Sequence, residues 1–596
     1  MPAAHAAIKR GTRRKRVILW SAIALVLILL AAAAWVAIRA LLAKSDLEAA
    51  SDLASTVQDD IVAGQKPGAA LDQLASHVHS AESLTGDPIW RAAENVPLLG
   101  PSLSAVREMS AVLANVTDEA IQPLAAVAGS IQLSDLKPVQ GRVDVKPLID
   151  AQPAVASADQ ALDAGIAQIR RIDTSDVFSF VGEAIDQVQT MLVKADAAVT
   201  AVDHAVTLIP AMVGDEGARN YLVLLQNNAE LRSTGGITGA LALIHTDHGR
   251  IELTKQATSG DFPHYEEPVL DLPVDTRGIY GDIAGEYIQD VNLTPRFPLS
   301  AKLASEMWKR QYGLSVDGVL SFDPVALSYL LKATGPIDLP TGDVLNSGNA
   351  VKLLLSDVYQ RYANPSDQDA FFAAAASAVF EKVASGELDS RSLITALAEA
   401  GGEHRILLWS AHADEQKLLA GTTLADVLPP ADAAKPTFGV YLNDATGAKM
   451  DYYLDVQLGV GQEICRQDGR ESYTVEVTLT NTVDSEAVAT LPRYVTGGGA
   501  FGVEPGNIRT NVAVYGPTDT LYLGATRDGD DVGLHSAMDE GHPLGQFQVE
   551  LTPGQSVSYR LQFLGGAAKH EDPVIFATPG VSSYTIKNVA VGCKLP

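Results

Sequence analysis

The chain has 596 residues, room for about three or four domains of ordinary size. Its 44 basic and 72 acidic residues leave a formal charge of −28, which disfavours nucleic acid as a partner. With 47% apolar and 19% charged residues it is neither a disordered tail nor a polytopic membrane protein. Its two cysteines, Cys465 and Cys593, exclude cysteine-rich zinc sites, iron–sulfur clusters and disulfide-dense mini-domains.

Residues 1–16 carry Lys9, Arg10, Arg13, Arg14, Lys15 and Arg16 and no acid. Val17 to Ile38 follows without a charged side chain, with Trp20 and Trp35 near its ends. As a helix this run spans about 33 Å, enough for a bilayer core of about 30 Å. Positive charge stays inside and indole rings favour interfaces. The expectation is a cytoplasmic tail (1–16), a transmembrane helix (17–43) and an extracytoplasmic bulk. A cleaved signal peptide is the rival, though its apolar region is usually shorter.

Residues 44–214 read as a helical spacer. Leu47, Ala50, Ala54, Val57 and Ile61 step by three and four before Gly64 and Pro67. Val181, Ile185, Val188, Leu192, Ala195, Val199, Val202, Val206 and Ile209 alternate steps of four and three. That is a bundle or coiled-coil seam, satisfied within one chain or between two. Asp87 to Trp90 and Pro97 to Gly100 read as turns. His77 and His79, two apart, make a poor metal pair.

Residues 215–432 read as an α/β domain. Tyr221 to Leu225 is a short apolar run of buried-strand type. Ala240–Thr246 and Arg250–Lys255 form a hairpin around Asp247-His248-Gly249. Gly318–Phe322 is a strand, and Asp323-Pro324 starts a helix that Gly335-Pro336 ends. Between the first strands lies a dense polar segment containing Asn227, Asn228, Glu230, Arg232, Thr234, Gly235 and Gly236. Placed at a strand end, such a segment suits a ligand: glycine amides can face an anion, and Arg232 can hold a phosphate or carboxylate. Asn292 and Arg296 extend the candidate site, and Asp290 with Asp317 or Asp261 is a candidate set of oxygen ligands for a divalent cation. The same residues also suit ordinary turns, with Arg232 paired to Glu230.

Residues 433–596 show short alternating strands separated by Asp468-Gly469, Pro505-Gly506 and Pro553-Gly554, the pattern of an antiparallel β-sandwich. Cys465 precedes one strand and Cys593 follows the last, so a disulfide is expected in an exported chain; two buried free thiols are the alternative. No G-x-S-x-G, H-E-x-x-H, Walker lysine motif or dinucleotide glycine motif occurs in context.

The run Tyr221-Leu222-Val223-Leu224-Leu225-Gln226-Asn227-Asn228-Ala229-Glu230-Leu231-Arg232-Ser233-Thr234-Gly235-Gly236 resembles the signature of a bacterial family of unknown function. Asp290 to Pro298, Val316 to Val319, Gly335-Pro336, His404 to Leu408 and Lys449 to Leu454 are similar to further segments of it, and Trp90 to Gly100 to its run ahead of the domain. The likeness spans about residues 85–520. It implies a single-anchor, surface-facing envelope protein of Gram-positive bacteria, tied to polysaccharide or cell-wall biogenesis. The element order is also remotely similar to the LytR–CpsA–Psr glycopolymer ligases, which carry an Arg-Ser-Asp-Thr type motif where this chain has Arg232-Ser233-Thr234.

Two functions follow as expectations. One is a non-catalytic surface or assembly protein that binds an envelope glycopolymer or a partner protein. The other is a transferase acting on a polyprenyl-pyrophosphate-linked glycan, with a divalent cation such as Mg as cofactor, Arg232 on the pyrophosphate and Asp290 or Asp317 on the metal.

Overall fold

A computed structural model describes residues 4–62, 65–128, 137–429, 435–567 and 571–591. It divides into two compact units, one of residues 1–135 and 145–210, the other of 136–144 and 211–596.

The first unit is helical. Helix α1 runs unbroken from Ala4 to Val62, 59 residues or about 88 Å. The change expected at residue 43 is not a break, because no glycine or proline occurs between Thr12 and Ala63. It is a change of burial: Leu29 and Leu41 are 59% and 70% exposed, whereas Ala43 and Val57 are 0% and 2%. Among the described residues one helix, this one, is long and apolar enough to cross a membrane.

Helix α2 (Gly68–Thr85) lies antiparallel to α1; Asp46 accepts from Ser80 Oγ (2.6 Å) and pairs with His77, while Arg39 donates to the Leu84 carbonyl (3.0 Å). His79 goes elsewhere, to Asp118. Asp87 accepts from the amides of Ile89 and Trp90 and caps α3 (Pro88–Ala93), so a stretch expected as a turn starts a helix. Helix α4 (Gly100–Val116) continues through a π turn into α5 (Gln122–Ala128). Helices α6 (Lys146–Ile169) and α7 (Ser179–Met212) follow. Val181, Ile185 and Leu192 of the expected seam are buried in one cluster with Met109 and Val112 of α4 and Leu162 and Ile166 of α6. This part of the seam is filled by its own chain. Farther along, Val202 stays 44% exposed.

In the second unit β1 (Arg219–Arg232), β2 (Gly235–Asp247) and β3 (Arg250–Thr258) form an antiparallel meander. His248 and Gly249 turn β2 into β3, both at positive φ, the twist that tight hairpins require. Val143 donates to Gly249 O (2.8 Å), so residues 137–144, expected in the spacer, fasten to this hairpin. Helices α8 (Val274–Tyr280) and α9 (Phe297–Tyr312) precede β4 (Gly318–Phe322), which pairs parallel to β1. Then come α10 (Pro324–Thr334), the two-residue strands β5 (Ile337–Asp338) and β6 (Val344–Leu345), and β7 (Ile406–Ser410), antiparallel on β4. The order is β3-β2-β1-β4-β7. The expected α/β layer is thus an antiparallel-rich mixed sheet. Phe297, Met307 and Trp308 of α9, each 0% exposed, cover Leu222, Leu224 and Leu241.

The remaining strands are β8 (Thr437–Asp444), β9 (Leu454–Glu463), β10 (Arg470–Asn481), β11 (Ile508–Tyr515), β12 (Leu521–Arg527), β13 (Asp530–Val532), β14 (His535–Asp539), β15 (His542–Leu551), β16 (Ser556–Ala567), β17 (Val574–Ala577) and β18 (Thr585–Asn588). They build two sheets, β13-β12-β16-β10-β9-β18 and β14-β15-β11-β8-β17. Val475 and Val477 of one sheet and Phe438, Val440 and Val514 of the other share one apolar cluster. The domain limit expected at 432/433 falls on residues 430–434, outside the described residues. Cys465 is not a free thiol, but its expected partner Cys593 also lies outside them.

Candidate functional site

The polar segment 226–236 was expected beyond a strand end. Instead β1 continues through Arg232, and only Ser233 and Thr234 separate it from β2. Asn227 pairs with Ile237 and Leu231 with Gly236, so Asn228, Ala229 and Glu230 bulge out of the ladder. Side chains satisfy the freed backbone: Leu231 N donates to Asp451 Oδ2 (2.7 Å) and Ala229 N to Asn227 Oδ1 (3.0 Å). Asn228 Nδ2 donates to Asp323 Oδ2 (3.0 Å) and to Pro579 O (2.9 Å). At the turn, Ser233 N donates to Asn443 Oδ1 (3.0 Å), and Thr578 Oγ1 donates to Ser233 O (3.0 Å). The segment therefore bonds residues of the meander sheet to β8 and to connecting segments of the C-terminal part.

The charged members are buried. Arg232 is 7% exposed; its Nη2 lies 3.0 Å from Asp290 Oδ1 and 3.6 Å from Glu230 Oε1, and its Nη1 donates to Leu231 O. Glu230 also pairs with Lys449, which lies 6.0 Å from the ring centre of Tyr359. Burial works against the Arg232 charge, but Glu230, Asp290 and Asp444 outweigh it and hold the guanidinium above its ordinary pKa. Burial and nearby carboxylates push Asp444 and Asp451 upward. Around Arg232 and Lys449 stand Glu230, Asp290, Asp444 and Asp451, and protonating Asp444 and Asp451 brings this group of six to zero formal charge. A dry interior favours that state.

Each remaining candidate has a place. Asn227 donates to Tyr359 Oη. Thr234 Oγ1 accepts from Gln226 (2.9 Å) and Asn292 (3.1 Å), and Asn292 also donates to Gly236 O. Arg296 pairs away from Arg232, with Asp539 and Glu540. Gly235 has φ +139°, and a Cβ on Gly236 would strike the Asn227 carbonyl. These glycines permit close strand approach, which differs from the expected presentation of amides to an anion. Asp317 is not near Asp290. It accepts from Asn220 N (2.8 Å) and lies by Arg219 and His412, twelve residues along β1 from Arg232, on the order of 35 Å away. Among the described residues no group of His, Cys, Asp and Glu is arranged to hold a metal ion.

Sequence reasoning missed the distant half of the cluster: Arg405, Asn443, Asp444, Lys449 and Asp451. Arg405 Nη1 donates to Asp323 Oδ2 (2.8 Å) and Gly580 O (2.9 Å), and Asp323 also caps α10 through Ala326 N (2.7 Å). The available signal was the resemblance that His404 to Leu408 and Lys449 to Leu454 carry beside the main signature. A cavity of about 270 Å³ lies between β2, β3 and helix Pro365–Ala384. Leu225, Leu241, Phe372, Asp261 and Asp369 are among its lining, and neither Arg232 nor another basic residue is.

Burial pushes Asp426 up to about 7 against the pull of three backbone amides, those of Phe297, Leu428 and Val427. Asp444 is pushed up as well. Both carboxyls take up protons on folding. Their contribution is full below about pH 4 and is lost as pH rises through about 6 for Asp444 and about 7 for Asp426, up to about 4 kcal/mol for Asp426. The full chain in detergent should melt at a lower temperature at pH 8 than at pH 5. Asp426→Asn keeps the accepting oxygen and should flatten that slope; an unchanged slope would reject the assignment.

Residues 216–359 match a family described as Protein of unknown function (DUF4012). The match starts just before β1 and ends at Tyr359, so it takes in the polar segment but not Arg405, Lys449 or Asp451. No curated protein matches the chain. A DUF4012 domain joined to one N-terminal apolar helix is compatible with a single-pass envelope protein.

Proposed function

We propose that this is a single-pass cell-envelope protein with a cytoplasmic N-terminus and an extracytoplasmic bulk, acting as a non-catalytic surface or assembly protein in polysaccharide or cell-wall biogenesis. The observation that carries it is that the signature is engaged from within: Arg232, Glu230, Asn228 and Asn292 are all buried and all bonded to the chain's own groups, although the side-chain oxygens of Asn228 and Asn292 are buried without a hydrogen-bond partner. A pyrophosphate-binding arginine needs an open mouth, and Arg232 has none. The transferase alternative, with its Mg and lipid-linked glycan, therefore keeps only the resemblance in its support. In this role the signature is a joint. It stiffens a head made of the DUF4012 sheet and a C-terminal part that we read as the expected β-sandwich, stapled by Cys465 and Cys593. The binding face for a glycopolymer or partner protein would lie on that head.

Export is supported by the basic leader ahead of an exposed apolar stretch and by the acidic remainder. Fusing a reporter that is active only outside the cytoplasm to the last residues should give activity. A cytosolic fluorescent reporter in the same place should stay dark, and a bright one would overturn the proposed orientation.

A further inference from the structure

We propose that the helical unit touches the lipid surface a second time, through Ile89, Val96, Leu98, Leu99, Phe178 and Phe180, beside the point where the apolar stretch of α1 ends. This rests on reading α1 as the membrane anchor. Leu98 is 84% exposed, Phe180 64%, Leu99 48%, Val96 44%, and Ile89 and Phe178 42% each. Soluble surfaces rarely gather large apolar groups this way without something to cover them.

Three sets of contacts put these residues at one end of the unit. Trp35 Nε1 donates to Asp87 Oδ1 (3.3 Å) and Arg39 Nη2 lies 3.5 Å from Asp87 Oδ2, which fixes the α2–α3 corner against α1 at the close of its exposed apolar stretch. Trp90 Nε1 donates to Leu103 O (3.0 Å), tying α3 to the first turn of α4 and holding the intervening loop of Val96 to Leu99 at that end. Phe178 N donates to Ser102 Oγ (3.0 Å), bringing the α6–α7 loop to the same turn. Phe178 and Phe180 stack with ring centres 5.8 Å apart. Leu98 holds φ +70°, an uncommon conformation for a side chain of its size, in an exposed turn.

The occupant is a bilayer because the patch continues the exposed apolar surface of α1 that the membrane would cover. Aromatic and leucine side chains partition into the headgroup–acyl boundary. Arg91, Arg170 and Arg171 are exposed nearby, but so are Asp173 and Asp176, so apolar burial rather than net charge drives the contact. Docked on two supports, the helical unit would be held against swivelling about α1.

The test uses the full chain reconstituted into phosphatidylcholine vesicles, with nitroxide labels on Leu98→Cys, Phe180→Cys, Val202→Cys and Leu27→Cys in separate samples. Labels at 98 and 180 should collide several-fold more with dissolved oxygen, relative to a water-soluble nickel chelate, than the label at 202. Equal ratios at 98, 180 and 202 would overturn the contact. So would labels at 98 and 180 shielded from both reagents, the mark of a protein partner. The label at 27 separates the two levels. If it reads the bilayer interior while 98 and 180 read water, the contact alone fails; if it reads water, the anchor itself fails.

Discussion

Arg232→Met is expected to destabilise the second unit by about 3–5 kcal/mol, because it leaves Asp290 and Glu230 buried without their shared cation. Urea unfolding of the full chain in detergent, followed by circular dichroism, reads this as a lowered midpoint. The partner variant decides the cause. Adding Asp290→Asn removes the stranded charge and should recover part of the loss, an interaction of about 1 kcal/mol or more. Strictly additive losses would show that Arg232 and Asp290 do not act as a pair. A ligand-binding arginine behaves in the opposite way, since its removal typically spares the fold and abolishes binding.

Gly236→Ala is expected to cost more than about 3 kcal/mol or to prevent folding. The added Cβ would meet the carbonyl carbon and oxygen of Asn227 and the amide of Asn228. These are backbone atoms of the paired strand and cannot swing aside without opening the hairpin. Gly239, three residues on in the same strand, offers the control, since a Cβ there meets nothing within 4 Å. Gly239→Ala should stay within about 1 kcal/mol of the parent, at the scale of ordinary glycine replacement. Equal losses in the two variants would contradict the close-approach explanation.

Local pattern made much of the fold legible. The apolar run after the basic leader lies in α1, and the step pattern from Val181 to Leu192 marks a buried helix face. Asp247-His248-Gly249 marks the β2–β3 turn. The course of β1 was not legible. Asn227 and Asn228 are turn-forming types, and they are held within β1 by acceptors far along the chain. Asp451 stands 220 positions from Leu231, and Pro579 stands 351 from Asn228. Short-range propensity carries no information on such pairs. The same holds for charge. Counting acids and bases near Arg232 in sequence says nothing of Asp444 or Lys449, which close the cluster from the end of β8 and the connection after it. The α1 boundary is of a different kind. Solvent and lipid differ in what they cover rather than in helix geometry, so the passage from one to the other leaves no mark on the backbone.

Hydrogen–deuterium exchange of the segment 226–236 in the full chain, with and without a soluble prenyl pyrophosphate and magnesium, tests the joint most directly. A joint bonded from within predicts that the amides of Leu231 and Ser233 exchange among the slowest in the second unit and are unchanged by the additive. Fast exchange that slows on adding the pyrophosphate would contradict it and restore the segment as a binding site.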